Sequence, residues 1–353
     1  MNAYLRDLAA QVHAVAVSPE NAARLRRWQD VNALRKPDRA PVFCRPVAAW
    51  KELLPEDTLR CTDPPLRAVE TELRRILIKN SIGDDSVVLP YYPIETDVDY
   101  LEDAERTRGL IGGIFGDILP PKVVLSPLEP MTLGAAAIRE RGMEALMWEC
   151  CDDPDGLHRR MTQIRDDTAA ALERKLATGL FMPNTKGPMY ASDELDPAPG
   201  EAVALKHCVG VGNSQEFDTA SPAMWEEFLL EYQKPLYARF GLAAYGCCEN
   251  LTRKIDGILT IPNLRIFVCS AWTDLDRLLD KTGGRYCIMW RQKATEVCFT
   301  EDTASIRAGL IKGCEQMRGG RYQIVLRELE TLNGDLNRLH VWTQLAIEAA
   351  SKY

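Results

Sequence analysis

The run Gly241-Leu242-Ala243-Ala244-Tyr245-Gly246-Cys247-Cys248-Glu249-Asn250-Leu251 decides how this chain is read. Its apolar start suits a buried strand, Gly246 permits a tight exit, and the polar residues lead into a helical segment from Leu251 to Ile258. The same succession of short apolar run, polar loop and amphipathic helix recurs along the sequence. Strands are expected at Val42 to Cys44, Ser86 to Leu89, Lys122 to Leu125, Val203 to Cys208, Leu242 to Gly246, Arg265 to Val268, Tyr286 to Trp290 and Gln323 to Leu326. Eight strands alternating with helices predict an α/β fold, a (β/α)8 TIM barrel with extra N-terminal helices.

Residues 1–40 are expected to form the N-terminal helical extension, because an Ala-, Arg- and Leu-rich segment is stopped by Pro37 and Pro41. The barrel is expected over 41–353. Asp153-Pro154 and Ser221-Pro222 each place a capping side chain before a proline at the first helical position. Between Leu180 and Gly200 prolines and glycines leave little room for regular structure. So long a connection is expected at the carboxyl ends of the strands, where barrels build their sites.

With 353 residues, 46% of them apolar, the chain can bury a large core. A net charge of −8 with no basic block argues against nucleic acid and anionic membrane surfaces as partners, and favours small-molecule chemistry. No window approaches the roughly 18 unbroken apolar residues of a membrane span. Eleven cysteines in a chain whose start lacks the pattern of a secretory signal suggest a reducing compartment, the cytoplasm. Clustered thiols there are more often metal ligands, reactive groups or small core residues than disulfides. The sequence leaves room for a homodimer.

Two thiols and a carboxylate at a strand end, Cys247, Cys248 and Glu249, form the densest chemical signal. Thiolates bind Zn²⁺ strongly, so a soft metal site is expected. Adjacent cysteines on a strand point in different directions, so one of the two would face the cavity. His207 ends the preceding expected strand and Glu216 follows it, and both are expected to join Cys247 or Cys248 as metal ligands. Glu249 is the candidate to deliver a proton. Cys208, Cys247, Ser270 and Trp290 are expected on one rim. Tyr92, Trp272 and Trp290, with Arg291 beside them, are expected to bind substrate as an aromatic wall with a polar handle. The bland alternative is packing: core cysteines, a satisfied buried histidine, and tryptophans lying between helix and barrel. Cys150-Cys151, at a helix end, is expected to be structural.

Several runs resemble uroporphyrinogen-decarboxylase-like proteins found beside corrinoid proteins. Gly246-Cys247-Cys248-Glu249-Asn250-Leu251, Ile261-Pro262-Asn263-Leu264-Arg265 and Ser270-Ala271-Trp272-Thr273-Asp274 are similar to that group's GCCEPL, IPNLR and SPWAD succession. Ser214-Gln215-Glu216, Ser221-Pro222-Ala223-Met224 and Tyr232-Gln233-Lys234-Pro235 are similar to its SQE, SPEM and YQKP runs. The resemblance implies a (β/α)8 barrel with a funnel-shaped site. It also implies a methyltransferase in which Cys248 is the counterpart of a zinc-binding cysteine in a His-x-Cys pair; the histidine of that pair is absent here. Decarboxylases of the superfamily carry an arginine-rich segment near the first strand, whereas this chain has only Arg45 in Cys44-Arg45-Pro46.

The expected function is methyl transfer from a methoxylated aromatic or methylamine-type donor to the Co(I) corrinoid of a partner protein, with zinc activating the leaving group. Two other readings remain open. A metal-independent carboxy-lyase would differ in metal content, and a non-catalytic binder would show neither metal nor a reactive thiol.

Overall fold

Eight strands form and every pairing among them is parallel, but they divide into two sheets. β1 (Val42–Pro46), β8 (Arg321–Leu329), β7 (Cys287–Gln292), β6 (Leu264–Cys269), β5 (Leu242–Tyr245) and β4 (Val209–Gly212) lie in that order in an open, strongly curled sheet. β2 (Tyr92–Thr96) and β3 (Pro121–Leu125) pair only with each other. The computed structural model describes residues 2–125, 131–183 and 188–353. Among them the expected closed eight-stranded barrel is not formed.

The physical reason lies at the outer edge of β1. Its amides at Val42 and Cys44 donate to the carboxylates of Asp85 and Asp84, at 2.7 and 2.8 Å. The Asp85 amide in turn donates to the Val42 carbonyl, and Lys79 donates to the Cys44 carbonyl. A turn thus takes the place of a neighbouring strand. The expected strand at Ser86 to Leu89 is lost for a related reason: both backbone groups of Val88 are bonded by the Asn21 side chain, each at 2.9 Å. On the other side, Leu125 of β3 is bonded by the backbone of Leu180 and Met182 instead of by β4. The strand expected at Val203 to Cys208 begins instead at Val209, after a single tight turn over Leu205–His207.

Alternation along the strands sorts the core. Phe43, Val325, Met289, Ile266, Val268 and Ala244 face the concave side and pack with Trp28 and Val31 of helix α2 (Pro19–Asn32) and with Met189 to Ala191. The alternate residues, among them Ile324, Ile288, Phe267, Ala243 and Tyr245, face the outer helices. Asn32 ties the concave side together: its amide donates to the carbonyls of Met189 and Ala191 and its oxygen accepts from Gln323. Helix α1 (Asn2–Ala16) lies elsewhere, against helices Pro64–Ile82 and Leu101–Phe115, where Leu5, Leu8 and Val12 meet Leu73 and Phe115. No described helix is long and apolar enough to cross a membrane. Of the long Leu180 to Gly200 connection, Asn184 to Gly187 lie outside the described residues.

Asp85 is nearly fully buried and also receives Arg27 at 2.5 Å and Arg39 at 2.7 Å. Removing its carboxylate leaves Arg27 with Asp38 alone, Arg39 without a carboxylate among the described residues, and one strand amide unpaired. Asp85→Ala should therefore lower the unfolding free energy by about 3–5 kcal/mol in a urea titration. A loss below about 1 kcal/mol would show that the β1 edge is held by something else.

Candidate functional site

The carboxyl ends of the strands open into a cleft of about 870 Å³. Arg45 reaches it from β1, Glu95 from β2, Val211 and Gly212 from β4, and Arg327 from β8. Arg139 and Lys175 come from helices Leu133–Arg141 and Pro154–Ala177, Tyr190 from the segment packed into the concave side, and Cys247 from the loop after β5. Four cationic side chains and two carboxylates, Glu95 and Asp97, thus line the space. The cleft shares Asp97, Thr132, Arg139 and Lys175 with an adjoining hollow of about 320 Å³.

Gly246 sets the position of the thiols. Its φ of +117° lies where only glycine is comfortable, and a Cβ there would meet the Val268 carbonyl oxygen at 2.9 Å. The chain leaves β5 through this residue and then runs through Cys247 and Cys248, whose sulfurs lie 3.4 Å apart. The sulfurs converge instead of diverging because the strand has already ended at Tyr245, and of the two only Cys247 lines the cleft.

Behind the thiols stands Arg291, carried on β7 and pointing to the concave side. Its Nη1 donates to the Cys247 carbonyl at 2.5 Å, and lies 3.4 Å from Glu328 Oε1 and 3.9 Å from Cys248 Sγ. Glu328 adopts a φ of +61°, an uncomfortable conformation for a residue with a side chain, and so brings its carboxylate to within 3.1 Å of Cys248 Sγ. Cys248 has one proton and two acceptors for it, the Cys247 sulfur and Glu328. The Cys248 hydrogen bond, with Arg291 and Arg327 behind it, lowers the Cys247 thiol to about 6 against the cost of its burial. Cys248 moves the other way, because donating to its neighbour favours its protonated form.

Glu249 is buried and fully engaged. Its carboxylate accepts from the amides of Ser214 and Cys247, at 2.8 and 2.9 Å, and from the Ser214 hydroxyl. It clamps the loops after β4 and β5 together, a positioning role, where proton delivery was expected. Glu216, on the turn Gln215–Phe217, has a buried Oε2 with no partner among the described residues. Burial, aided by the nearby charges of Glu249 and Cys247, raises its pKa and favours the neutral acid.

Other expected members fall elsewhere. His207 precedes β4, whereas Cys247 follows β5, so the four-residue strand, about 13 Å, separates their ends of the sheet. Its ring accepts from the Ala204 amide at 3.0 Å and faces Glu201. Cys208 lies at that same far end. Trp290 points outward: a Cβ on Gly313 of helix Thr303–Gln316 would collide with its ring. Tyr92 is buried among the helices beside Phe115, ring centroids 6.0 Å apart. Trp272 is 63% exposed beside Lys293, outside the cleft lining. Arg291 alone of the expected substrate-binding set is at the site, and it touches the thiols instead of lining the cleft.

As a zinc set the cluster does not fit. The place a cation would take among Cys247, Cys248 and Glu328 is filled by the Arg291 guanidinium, His207 is remote, and Glu249 is spent on amides. Among the described residues no three His, Cys, Asp or Glu groups are gathered so as to hold a metal ion. Sequence reasoning missed Arg327, Glu328, Tyr190, Arg139 and Lys175 as site residues. Only the Arg327-Glu328 pair carried a signal, being polar residues directly after the apolar run of β8. Comparison with known protein-family models and with curated proteins finds no match.

The thiolate sets a pH test. Because the Cys247 pKa is lowered, its alkylation by iodoacetamide should stay fast down to neutral pH and fall as pH drops through about 6. Cys248→Ala should move this midpoint up the most and Arg327→Gln by less, toward the ordinary thiol value of about 8.5. A wild-type midpoint near that ordinary value would refute the assignment.

Proposed function

We propose that the chain is a methyltransferase whose cleft takes a small methyl donor bearing a carboxylate, a methoxybenzoate or a betaine, and passes the methyl group to the Co(I) corrinoid of a partner protein. The observation that carries this reading is a polarised thiol, Cys247 in contact with Cys248, lining a strand-end cleft together with Arg45, Arg139, Lys175 and Arg327. The acceptor comes from the resemblance of residues 246–274 to uroporphyrinogen-decarboxylase-like proteins. When bound, the reduced corrinoid supplies the nucleophile. Val47 and Trp272, both exposed, directly follow the carboxyl ends of β1 and β6, the side of the sheet on which the partner would dock.

The residues of this chain bind and orient the donor. Arg45 has no carboxylate partner among the described residues, and the like charges of Arg327 and Arg291 compound its burial in lowering its pKa. A carboxylate between Arg45 and Arg327 relieves that repulsion and orients the donor. As the methyl–oxygen bond breaks, its electron pair stays on oxygen, and the phenolate so formed takes a proton from solvent as it leaves the cleft. The Cys247 thiolate places negative charge beside the methyl carbon, where positive charge builds in the transition state. No step is assigned to zinc. Eleven cysteines and a reactive dithiol suit a reducing compartment, and we place the protein in the cytoplasm.

The same cationic lining favours a second reading, a carboxy-lyase. The arginines that the sequence lacked near the first strand are supplied by β1, β8 and a helix. One experiment separates the two: the absorbance of Co(I) cobalamin, free or on a partner protein, is followed with methoxybenzoates, betaines and methylamines, while CO₂ release from uroporphyrinogen is measured in parallel. Loss of the Co(I) signal with carboxylated donors supports methyl transfer; CO₂ release with an unchanged Co(I) signal overturns it. Arg45→Gln and Arg327→Gln should each raise KM for a methoxybenzoate about 10- to 100-fold, the ~1.5–3 kcal/mol of a charge-assisted hydrogen bond. A neutral methoxylated donor should show little change.

A further inference from the structure

The chain contains two adjacent-cysteine pairs, and the structure treats them differently. Cys150 and Cys151 sit on helix Met143–Asp152, where neighbouring side chains diverge; Cys150 is buried with its sulfur on the Leu146 carbonyl at 3.4 Å, and Cys151 is exposed. Cys247 and Cys248 lie outside any helix or strand, with their sulfurs in contact at 3.4 Å. A disulfide of about 2.05 Å needs these two sulfurs to approach by about 1.4 Å. Both residues are only half-buried and Cys247 lines the cleft, so an oxidant small enough to enter reaches it. Most other cysteines, Cys44, Cys61, Cys269, Cys287, Cys298 and Cys314 among them, are buried.

We propose that Cys247 and Cys248 are a redox modification site, which a hydroperoxide converts to a vicinal disulfide and a dithiol reductant restores. The Cys247 thiolate attacks the peroxide: a sulfur–oxygen bond forms, the oxygen–oxygen bond breaks, and the alkoxide takes a proton from solvent to leave as alcohol. Cys248 then attacks the sulfur of the Cys247 sulfenic acid. A sulfur–sulfur bond forms, and the hydroxyl leaves with the Cys248 proton as water. The two thiols lose two electrons and the peroxide gains them. Arg291 favours the first step by stabilising the thiolate, and the short sulfur–sulfur distance favours the second over further oxidation. The disulfide removes the thiolate from the cleft lining and so closes the site reversibly.

The test reads covalent mass, so it stands whether or not the methyl-transfer reading does. The reduced full-length protein is treated with tert-butyl hydroperoxide, blocked with iodoacetamide and digested. The peptide containing 247 and 248 should lose two hydrogens, resist alkylation at both sulfurs and recover on dithiothreitol, while the peptide containing 150 and 151 stays reduced. In Cys248→Ser, Cys247 should reach the sulfenic acid, trappable with dimedone, and then pass on to the sulfinic acid instead of a disulfide. Oxidation of wild-type Cys247 to sulfenic or sulfinic acid with Cys248 still alkylatable would overturn the proposal. So would a pair at 150 and 151 that oxidises as fast as the pair at 247 and 248.

Discussion

The Arg291 guanidinium is the contact on which the candidate site depends. It is nearly fully buried, and one nitrogen reaches the Cys247 carbonyl, the Cys248 sulfur and the Glu328 carboxylate. A buried cation needs anionic partners and hydrogen bonds; Arg291 has them at Nη1, while its buried Nε has no partner among the described residues. Here it gathers groups from β7, β8 and the loop after β5. Its charge favours the Cys247 thiolate, which in turn makes the cation easier to bury. Glu328 completes the arrangement by adopting a backbone conformation that a residue with a side chain normally avoids.

A similar logic governs the edge of the main sheet. Asp84 and Asp85 cap the outer amides of β1 and are themselves held by Lys79, Arg27 and Arg39. Carboxylates therefore occupy the place where a closed barrel would put a strand. The result is a curled sheet whose concave side is filled by α2 and by Met189 to Ala191, leaving the strand ends open above. Closure by side chains in place of a ladder also leaves β2 and β3 as a separate pair, with Glu95 and the adjoining Asp97 facing the cleft from that side.

Much of this was legible in the sequence. The strand runs at Val42, Lys122, Leu242, Arg265, Tyr286 and Gln323 were readable because each pairs β-branched or apolar residues with a following turn. The site at Cys247 and Cys248 was readable from its place at a strand end. What misled were apolar segments whose backbone is satisfied by distant side chains, as Asn21 does for Val88, since no local pattern announces such a partner. The direction of Trp290 turned on a single register position, and His207 was misplaced because the strand begins at Val209, six residues after the expected start at Val203. The cationic lining was hidden because Arg45, Arg139, Lys175 and Arg327 come from four separate elements. Only the curl of the sheet brings them together.

The central claim is that the cleft receives a carboxylate on arginines coupled to the Cys247 thiolate, and calorimetric titration tests it most directly. para-Methoxybenzoate and its uncharged amide would be titrated into the protein near pH 6.5, in buffers of different ionisation heat. A carboxylate on Arg327 offsets a charge that helps lower the Cys247 pKa, so its binding raises that pKa and draws in a proton, and the measured heat should vary with the buffer. The account predicts binding of the acid with proton uptake, weaker binding of the amide without it, and loss of the uptake in Cys247→Ser. Equal affinity for acid and amide, or a heat independent of buffer, would contradict it.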